Sequence, residues 1–282
     1  MNVSELIKEY ENGSSLAALG RKYGYTGQTI KKYLEKEGVK IRSQKEQNKF
    51  SPQNQRKYII NDNYLDNIDD SDKAYLIGFL AADGCVMKDG SIRIALSSVD
   101  KEILQKIQNV LETNYPIRDS MTKDGFEVST FVFRSAKIRE KLSEYNVVHN
   151  KTYSFTFPNS LPQKYIIDFI RGYWDGDGSV HYSNGYPRTS LCSYQKEFLE
   201  KVLEILEKDY QIPKVKLYKK KESNTWYFQY SISSSQKLYE AFYRNIENKK
   251  LFLSRKYSKF KELFGEINSH EPAASQEEGK IV

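Results

Sequence analysis

Apolar positions near the start of the chain recur three and four residues apart. Val3, Leu6, Ile7 and Tyr10 form one helical stripe, with Ser4 a candidate cap, and Asn12-Gly13 marks a turn after it. Leu16, Ala17, Leu19 and Tyr23 form a second stripe ending at Gly24, where a left-handed C-cap costs least. Behind a Thr26 cap, Ile30, Tyr33 and Leu34 form a third, with Gln28, Thr29, Lys31 and Lys32 on the opposite face. Three short helices with a tight Gly-containing turn before the last have the helix-turn-helix layout, whose final helix presents polar residues to base edges. Three-helix bundles also bind proteins, so the layout alone leaves both partners open.

Further along, the pattern repeats. Leu76-Ile77-Gly78-Phe79-Leu80-Ala81-Ala82-Asp83-Gly84 matches Ile170-Arg171-Gly172-Tyr173-Trp174-Asp175-Gly176-Asp177-Gly178 at an offset of 94 residues. Ser98-Val99-Asp100-Lys101-Glu102-Ile103-Leu104 matches Ser193-Tyr194-Gln195-Lys196-Glu197-Phe198-Leu199 at 95, and Lys137-Ile138-Arg139-Glu140 matches Lys237-Leu238-Tyr239-Glu240 at 100. Loop insertions produce such drift. Each copy predicts a helix (72–83 and 163–177), a strand (91–97 and 187–193), a helix (100–112 and 195–209), two more strands and a helix (135–145 and 235–246). Copy two adds a helix near 254–264, and two α+β halves related by a pseudo-two-fold axis are expected.

The strands alternate. Lys214, Lys216, Tyr218 and Lys220 take one face of a strand and Val215 and Leu217 the other. Its partner sets Trp226, Phe228, Tyr230 and Ile232 against Thr225, Tyr227, Gln229 and Ser231. Arg93 and Arg188 occupy the same place in the two aligned copies, while Phe131 and Phe133 blur the alternation in copy one. An apolar back and a basic, hydrogen-bonding front suit a DNA groove, although any antiparallel sheet open to water alternates this way.

Charge sharpens the picture. The 282 residues carry 44 Lys and Arg against 37 Asp and Glu, a net charge of +7, and the isoelectric point is near 9.0. The excess is local: Arg21 to Lys57 holds eleven basic and three acidic residues, +8 in all, which favours DNA as the partner of the three-helix module. Asn61 to Asp72 reverses the sign, and residues 44–71 read as a linker. A hydrophobic content of 39% and a mean hydropathy of −0.70 predict no membrane span and no secretion signal. Cys85 and Cys192 with three histidines cannot build a zinc cluster and point to a reducing cytoplasm. Ser269 to Val282 is small, polar and without periodicity, so a disordered tail is expected at 267–282.

The repeated motif carries the chemistry. Gly78 and Ala82, like Gly172 and Gly176, lie four apart, so each helix has a stripe without bulky side chains and two stripes let backbones touch. Asp83 and Asp177 close these helices, at the end where the macrodipole disfavours negative charge. Packing the helices together brings the carboxylates close, and a divalent cation is the economical compensation. Asp-Gly also simply ends helices, but its recurrence in a repeat argues for more. An EF-hand reading of Asp175 to Ser179 fails, because Val180 stands at the loop glycine and Tyr186 at the bidentate glutamate. Hard oxygen ligands beside a polyanion point to Mg²⁺ and to metal-assisted phosphodiester hydrolysis.

The two motifs, the repeat and the strand pattern resemble the single-chain LAGLIDADG homing endonucleases over residues 72–265. So do Asn150-Lys151-Thr152 with Pro158 ahead of Phe169-Ile170-Arg171-Gly172, and Leu253-Ser254-Arg255-Lys256-Tyr257. The resemblance implies an α+β fold of two pseudo-symmetric repeats, 72–160 and 161–266, with DNA-binding antiparallel sheets behind a small all-α helix-turn-helix domain at 1–43. It implies that Asp83 and Asp177 each bind metal at one scissile phosphate. It also implies that basic residues polarise water or steady the transition-state charge, with Lys151 and Lys256 in that role and Lys250 a rival. Asp175 is matched by Ala81 and is left out of catalysis, and Ile170-Arg171 departs from the apolar-small start of the family motif.

The first module resembles the helix-turn-helix of resolvases and invertases, with Gly38-Val39-Lys40-Ile41-Arg42 looking like a trailing basic arm. DNA contacts are expected from Gln28, Thr29, Lys31, Lys32, Arg93, Arg118, Arg188, Lys214, Lys216, Lys220 and Gln229. The expected protein is a monomeric, Mg²⁺-dependent endonuclease of intron or intein mobility that cuts both strands of a long site in double-stranded DNA across the minor groove. The alternatives are a non-cutting DNA-binding regulator or an RNA-splicing maturase on the same scaffold.

Overall fold

The computed structural model describes residues 2–48, 50, 57–183 and 185–265, so the tail expected at 267–282 lies outside the described residues. The chain divides into two compact units, Met1–Tyr58 and Ile59–Val282. Among the described residues no helix is long and apolar enough to cross a membrane.

In the first unit, α1 (Val3–Glu11), α2 (Leu16–Tyr23) and α3 (Gly27–Lys36) bury Leu6, Tyr10, Leu19, Ile30 and Leu34 in one core. The cap of α1 is Asn2 rather than Ser4: its Oδ1 accepts from the Ser4 N–H at 3.1 Å. Ser15 and Thr26 cap α2 and α3, accepting from Ala18 and Thr29 N–H groups at 3.1 and 3.2 Å. Gly20 permits the tight turn, since a Cβ there would lie 2.6 Å from the Tyr25 carbonyl oxygen. The expected basic arm is instead folded back. Val39 and Ile41 pack against the core, and the Arg42 guanidinium donates to the Ser14 carbonyl at 2.8 Å. It also stacks on the Tyr10 and Phe50 rings at 4.0 and 4.6 Å. Apolar Val39 and Ile41 have a core to join, which a free arm would forfeit. A short α4 (Gln44–Asn48) follows.

Residues 59–70, within the expected linker, belong to the second unit. Leu65 and Ile68 are buried in its core, and Asn61 N–H donates to the Leu111 carbonyl at 2.9 Å. The acidic residues around these two apolar anchors mask them in the sequence.

The first repeat runs α5 (Ser71–Ala82), β1 (Gly84–Val86), β2 (Ile92–Ser97), α6 (Lys101–Val110), β3 (Ile117–Met121), β4 (Glu127–Phe133) and α7 (Ala136–Glu144). The second runs α8 (Ile166–Asp177), β5 (Gly178–Ser183), β6 (Tyr186–Ser193), α9 (Lys196–Tyr210), β7 (Tyr218–Lys219), β8 (Trp226–Tyr230) and α10 (Ile232–Tyr243), and α11 (Ser254–Phe264) follows. Each repeat forms a four-stranded sheet, β1-β2-β4-β3 and β5-β6-β8-β7, antiparallel throughout. β1 and β5 are additional to the expected strands, because Asp-Gly reads as a helix end, yet the chain passes directly from helix into strand there.

Phe131 and Phe133 point into the core with Ile92 and Ile94, which resolves the blurred alternation of copy one. In copy two, only Tyr218 and Lys219 of the expected strand pair with β8. Lys214 and Lys216 precede the sheet, still alternating with half-buried Val215 and Leu217. Ile232, expected on the strand, starts α10 and is exposed, because the helix turns it away from the sheet's apolar face.

α5 and α8 cross with their backbones touching at Gly78 and Gly172. Repeat two departs from repeat one at Arg171 and Asp175, where repeat one has Ile77 and Ala81, and both charges are buried. Each is compensated. Arg171 donates to the Leu251 carbonyl at 2.6 Å and to Asp168 at 3.2 Å. Asp175 accepts from Tyr75 Oη at 2.7 Å, Tyr243 Oη at 3.3 Å and Leu253 N–H at 2.9 Å. Asp72, in the first turn of α5, accepts from the N–H groups of Lys250 and Leu251 at 3.0 and 2.8 Å. Residues 250–253 are thus strapped to both motif helices just ahead of α11.

Candidate active centre

Asp83 caps the C-terminus of α5 and Asp177 is the last residue of α8. The Ala82 methyl and the Asp83 carboxylate lie against Gly176, where a Cβ would stand 3.2 Å from Asp83 Oδ2. Burial pushes the Asp83 carboxyl up to about 6, with the nearby Asp177 charge adding to the rise. Asp177 is raised by burial too, opposed by the Tyr173 hydroxyl and by Lys151, Lys256 and Lys220. The carboxylate of Asp83 makes no hydrogen bond or ion pair among the described residues. Two neighbouring, half-buried carboxylates, one without a partner, form a hard-oxygen donor set that fits a divalent cation. No third His, Cys, Asp or Glu joins them among the described residues.

Lys151 and Lys256 sit at the two helix ends. Lys151 Nζ donates to the carbonyls of Ala82 at 3.3 Å and Gly84 at 2.8 Å. Lys256 Nζ meets four: Trp174 at 2.9 Å, Asp175 at 2.6 Å, Gly176 at 3.3 Å and Gly178 at 2.6 Å. Both ammonium groups are buried, and burial lowers the pKa of each. A cation on the last carbonyls of a helix offsets the dipole that opposes the aspartate there. The rival Lys250 has an exposed side chain and meets Asp72 through its backbone.

The exposed sheet faces carry most of the remaining candidates. Arg93 is exposed and stands opposite Cys85 and Val132, and Arg118 opposite Thr130. Arg188 stands opposite His181. Both arginines share the outward face, but they are not equivalent: Arg93 pairs one residue beyond Gly84, and Arg188 three beyond Gly178. The β5–β6 hairpin is longer than β1–β2, and alignment by sequence offset absorbs that difference. Gln229 Nε2 meets His181 Nε2 at 3.1 Å, and His181 Nδ1 meets Ser179 Oγ at 3.2 Å, a polar row across sheet two. Lys220 acts on Asp177 electrostatically, Lys214 pairs with Glu207 at 3.5 Å, and Lys216 lies over the Tyr218 ring at 5.7 Å.

In the first unit, Gln28 and Lys32 are exposed on α3 and Lys31 pairs with Glu35 at 3.6 Å. Thr29 Oγ is taken up by Thr26 Oγ at 2.8 Å. Sequence reasoning noted Arg171 and Asp175 only as departures from the repeat, with Asp175 left out of catalysis, and missed Asp72 and the Tyr75 and Tyr243 partners. The departures of repeat two from repeat one at Arg171 and Asp175 were the signal for them.

Two crossed Asp-terminated helices, each leading into a four-stranded antiparallel sheet, define the class. The chain belongs to the LAGLIDADG-like domain family, whose family pattern matches residues 70–142 and 164–247, one match in each repeat. It is 31% identical over 163 residues to part of the DNA-directed RNA polymerase subunit Rpo1C of Methanocaldococcus jannaschii, covering 56% of this chain and 18% of that protein. It is 26% identical over 178 residues to part of a probable translation initiation factor IF-2 of the same organism, covering 58% of this chain and 14% of that protein. The chain thus spans less than a fifth of these curated relatives. Among solved structures, the homing endonuclease I-WcaI bound to its DNA recognition sequence has a TM-score of 0.48 at 16% identity, over 69% of this chain and 89% of that one. The N-terminal LAGLIDADG domain of DUF199/WhiA has a TM-score of 0.43 at 16% identity, over 64% and 86%.

Proposed function

We propose that the protein is a site-specific endonuclease that hydrolyses one phosphodiester bond in each strand of double-stranded DNA, using Asp83 and Asp177 to hold divalent metal ions, Mg²⁺ in the cell. The observation that carries this reading is the pair of half-buried carboxylates held side by side by α5 and α8, each with its pKa raised. Both acids come from one chain, so a monomer has a complete centre.

A bound Mg²⁺ supplies Lewis-acid polarisation of the phosphate and a more acidic water. The chain's own residues do the rest. Asp83 and Asp177 orient at the two helix ends and, once ionised, present negative charge to the cation. Lys151 and Lys256 hold those helix ends and lower the cost of ionising the acids. Exposed Arg93, Arg118 and Lys220, with half-buried Arg188, contact phosphates, while the Gln229–His181 row reads base edges. The first unit, as a helix-turn-helix, extends the footprint through Gln28, Lys31 and Lys32.

The test is incubation of a plasmid library of candidate sites with and without Mg²⁺, read as linear product. Metal-dependent cutting at one sequence supports the reading. Tight duplex binding without cutting favours the non-cutting regulator instead.

A further inference from the structure

Tyr153 and Tyr194 form an edge-on pair with ring centroids 5.2 Å apart and planes at 67°, yet they remain 75% and 40% exposed. Two rings held together in water bury little apolar surface, so folding alone gives them little reason to be there. Their position ties them to both acids. Tyr153 stands two residues beyond Lys151, whose ammonium sits on the Ala82 and Gly84 carbonyls flanking Asp83. Tyr194 stands two residues beyond Cys192, whose Sγ donates to the Asp177 carbonyl at 3.4 Å. Gln195 Nε2 donates to the Thr152 carbonyl at 3.4 Å and joins the two turns.

The pair exists on one side of the pseudo-two-fold only. Lys151 and Lys256 are equivalent caps, which sets Ser258 opposite Tyr153, and the repeat alignment sets Val99 opposite Tyr194. On that other side Arg255 grips Asp100 through two hydrogen bonds of 2.9 and 2.8 Å.

We propose that Tyr153 and Tyr194 form an aromatic wedge that enters the minor groove between the two scissile phosphates and partly unstacks one off-centre base step. This rests on the DNA-cutting reading and adds a source of specificity to it. With one scissile phosphate at each acid, the middle of the duplex lies over the joined ends of α5 and α8, and the turns that carry this exposed pair contact both of those ends through Lys151 and Cys192. Pyrimidine–purine steps unstack most readily, so the wedge selects TA or CA/TG at that step without a hydrogen bond to either base.

The test uses the full chain in EDTA, which prevents cutting, and its selected duplex with 2-aminopurine at each central position in turn. Anisotropy reports binding and 2-aminopurine fluorescence reports unstacking. A several-fold rise is expected at one off-centre position. The rise disappears in the double variant Tyr153→Ala/Tyr194→Ala and persists in Tyr153→Phe/Tyr194→Phe, while both variants melt like the parent and are compared at saturating duplex. The alanine variant also loses its preference for a pyrimidine–purine step there. A bound duplex with no rise at any central position, or a rise that survives in the alanine variant, overturns the wedge and leaves the DNA reading standing. No duplex binding by the parent protein overturns both.

Discussion

Gly78 and Gly172 each lie against the other's helix backbone: a Cβ on Gly78 would collide with the Phe169 carbonyl oxygen, and one on Gly172 with the Tyr75 carbonyl oxygen. The same 94-residue offset that relates the motifs relates these contacts. It makes the crossing reciprocal and sets the two acids side by side. Gly172→Leu is therefore expected to cost roughly 1–3 kcal/mol or more through overpacking and to separate the carboxylates. Thermal denaturation and a cleavage assay check this together, and unchanged melting with unchanged cutting refutes it.

The lysine caps differ in what they hold. Replacing Lys256 with Met removes a donor from the carbonyls of Trp174, Asp175, Gly176 and Gly178, of which Trp174 keeps the Gly178 N–H, whereas Lys151→Met removes one from those of Ala82 and Gly84. An unpaired buried acceptor costs about 1–3 kcal/mol, so both variants lose stability and Lys256→Met loses more. Equilibrium denaturation of the two variants measures the order directly.

Asp83 keeps its proton up to about pH 6, against an ordinary value of 3.8. Between those values the native protein binds more protons than the unfolded chain, so the stability contribution of this group falls as pH rises and is lost above about 6. The rise from 3.8 to about 6 corresponds to about 3 kcal/mol. Asp83→Asn is expected to stabilise the metal-free protein by up to that amount above the window and to matter less at its acid edge. Denaturation at several pH values decides it, and a gain that does not grow with pH contradicts the assignment. Cutting by the parent protein is expected to decline as pH falls through about 6, because the metal ligand must be ionised.

Deleting residues 1–58 is expected to weaken DNA binding and to flatten the dependence of log K on log salt by about 0.9 for each lost phosphate contact. Cleavage by the second unit survives at higher protein concentration with weaker discrimination. An affinity and slope unchanged by the deletion would show that the three-helix unit does not lie on DNA.

The repeat, the two acids and the small-residue stripes were legible because they recur in the sequence, and recurrence separates a constrained position from a chance one. The burial of Arg171 and Asp175 was not, since composition-based reasoning sends charge outward and only the fold reveals the Tyr75, Tyr243 and Leu251 partners that let it stay inside. β1 escaped because three residues are too short for period-two alternation to emerge. Arg93 and Arg188 looked equivalent because sequence offset ignores hairpin length, whereas strand register does not. Arg42 shows that a basic residue can be consumed by the fold, through its stacking on Tyr10 and Phe50.

The most direct measurement compares binding and cutting of the selected duplex by the parent protein, Asp83→Asn and Asp177→Asn in Mg²⁺. In the proposed function, binding draws on phosphate and base contacts while the acids hold only the metal. The expected result is near-parental affinity for both variants with loss of double-strand cutting in each. Double-strand cutting at the parental rate by either variant would contradict the assignment of that acid to the metal centre, and cutting by both would contradict the account as a whole.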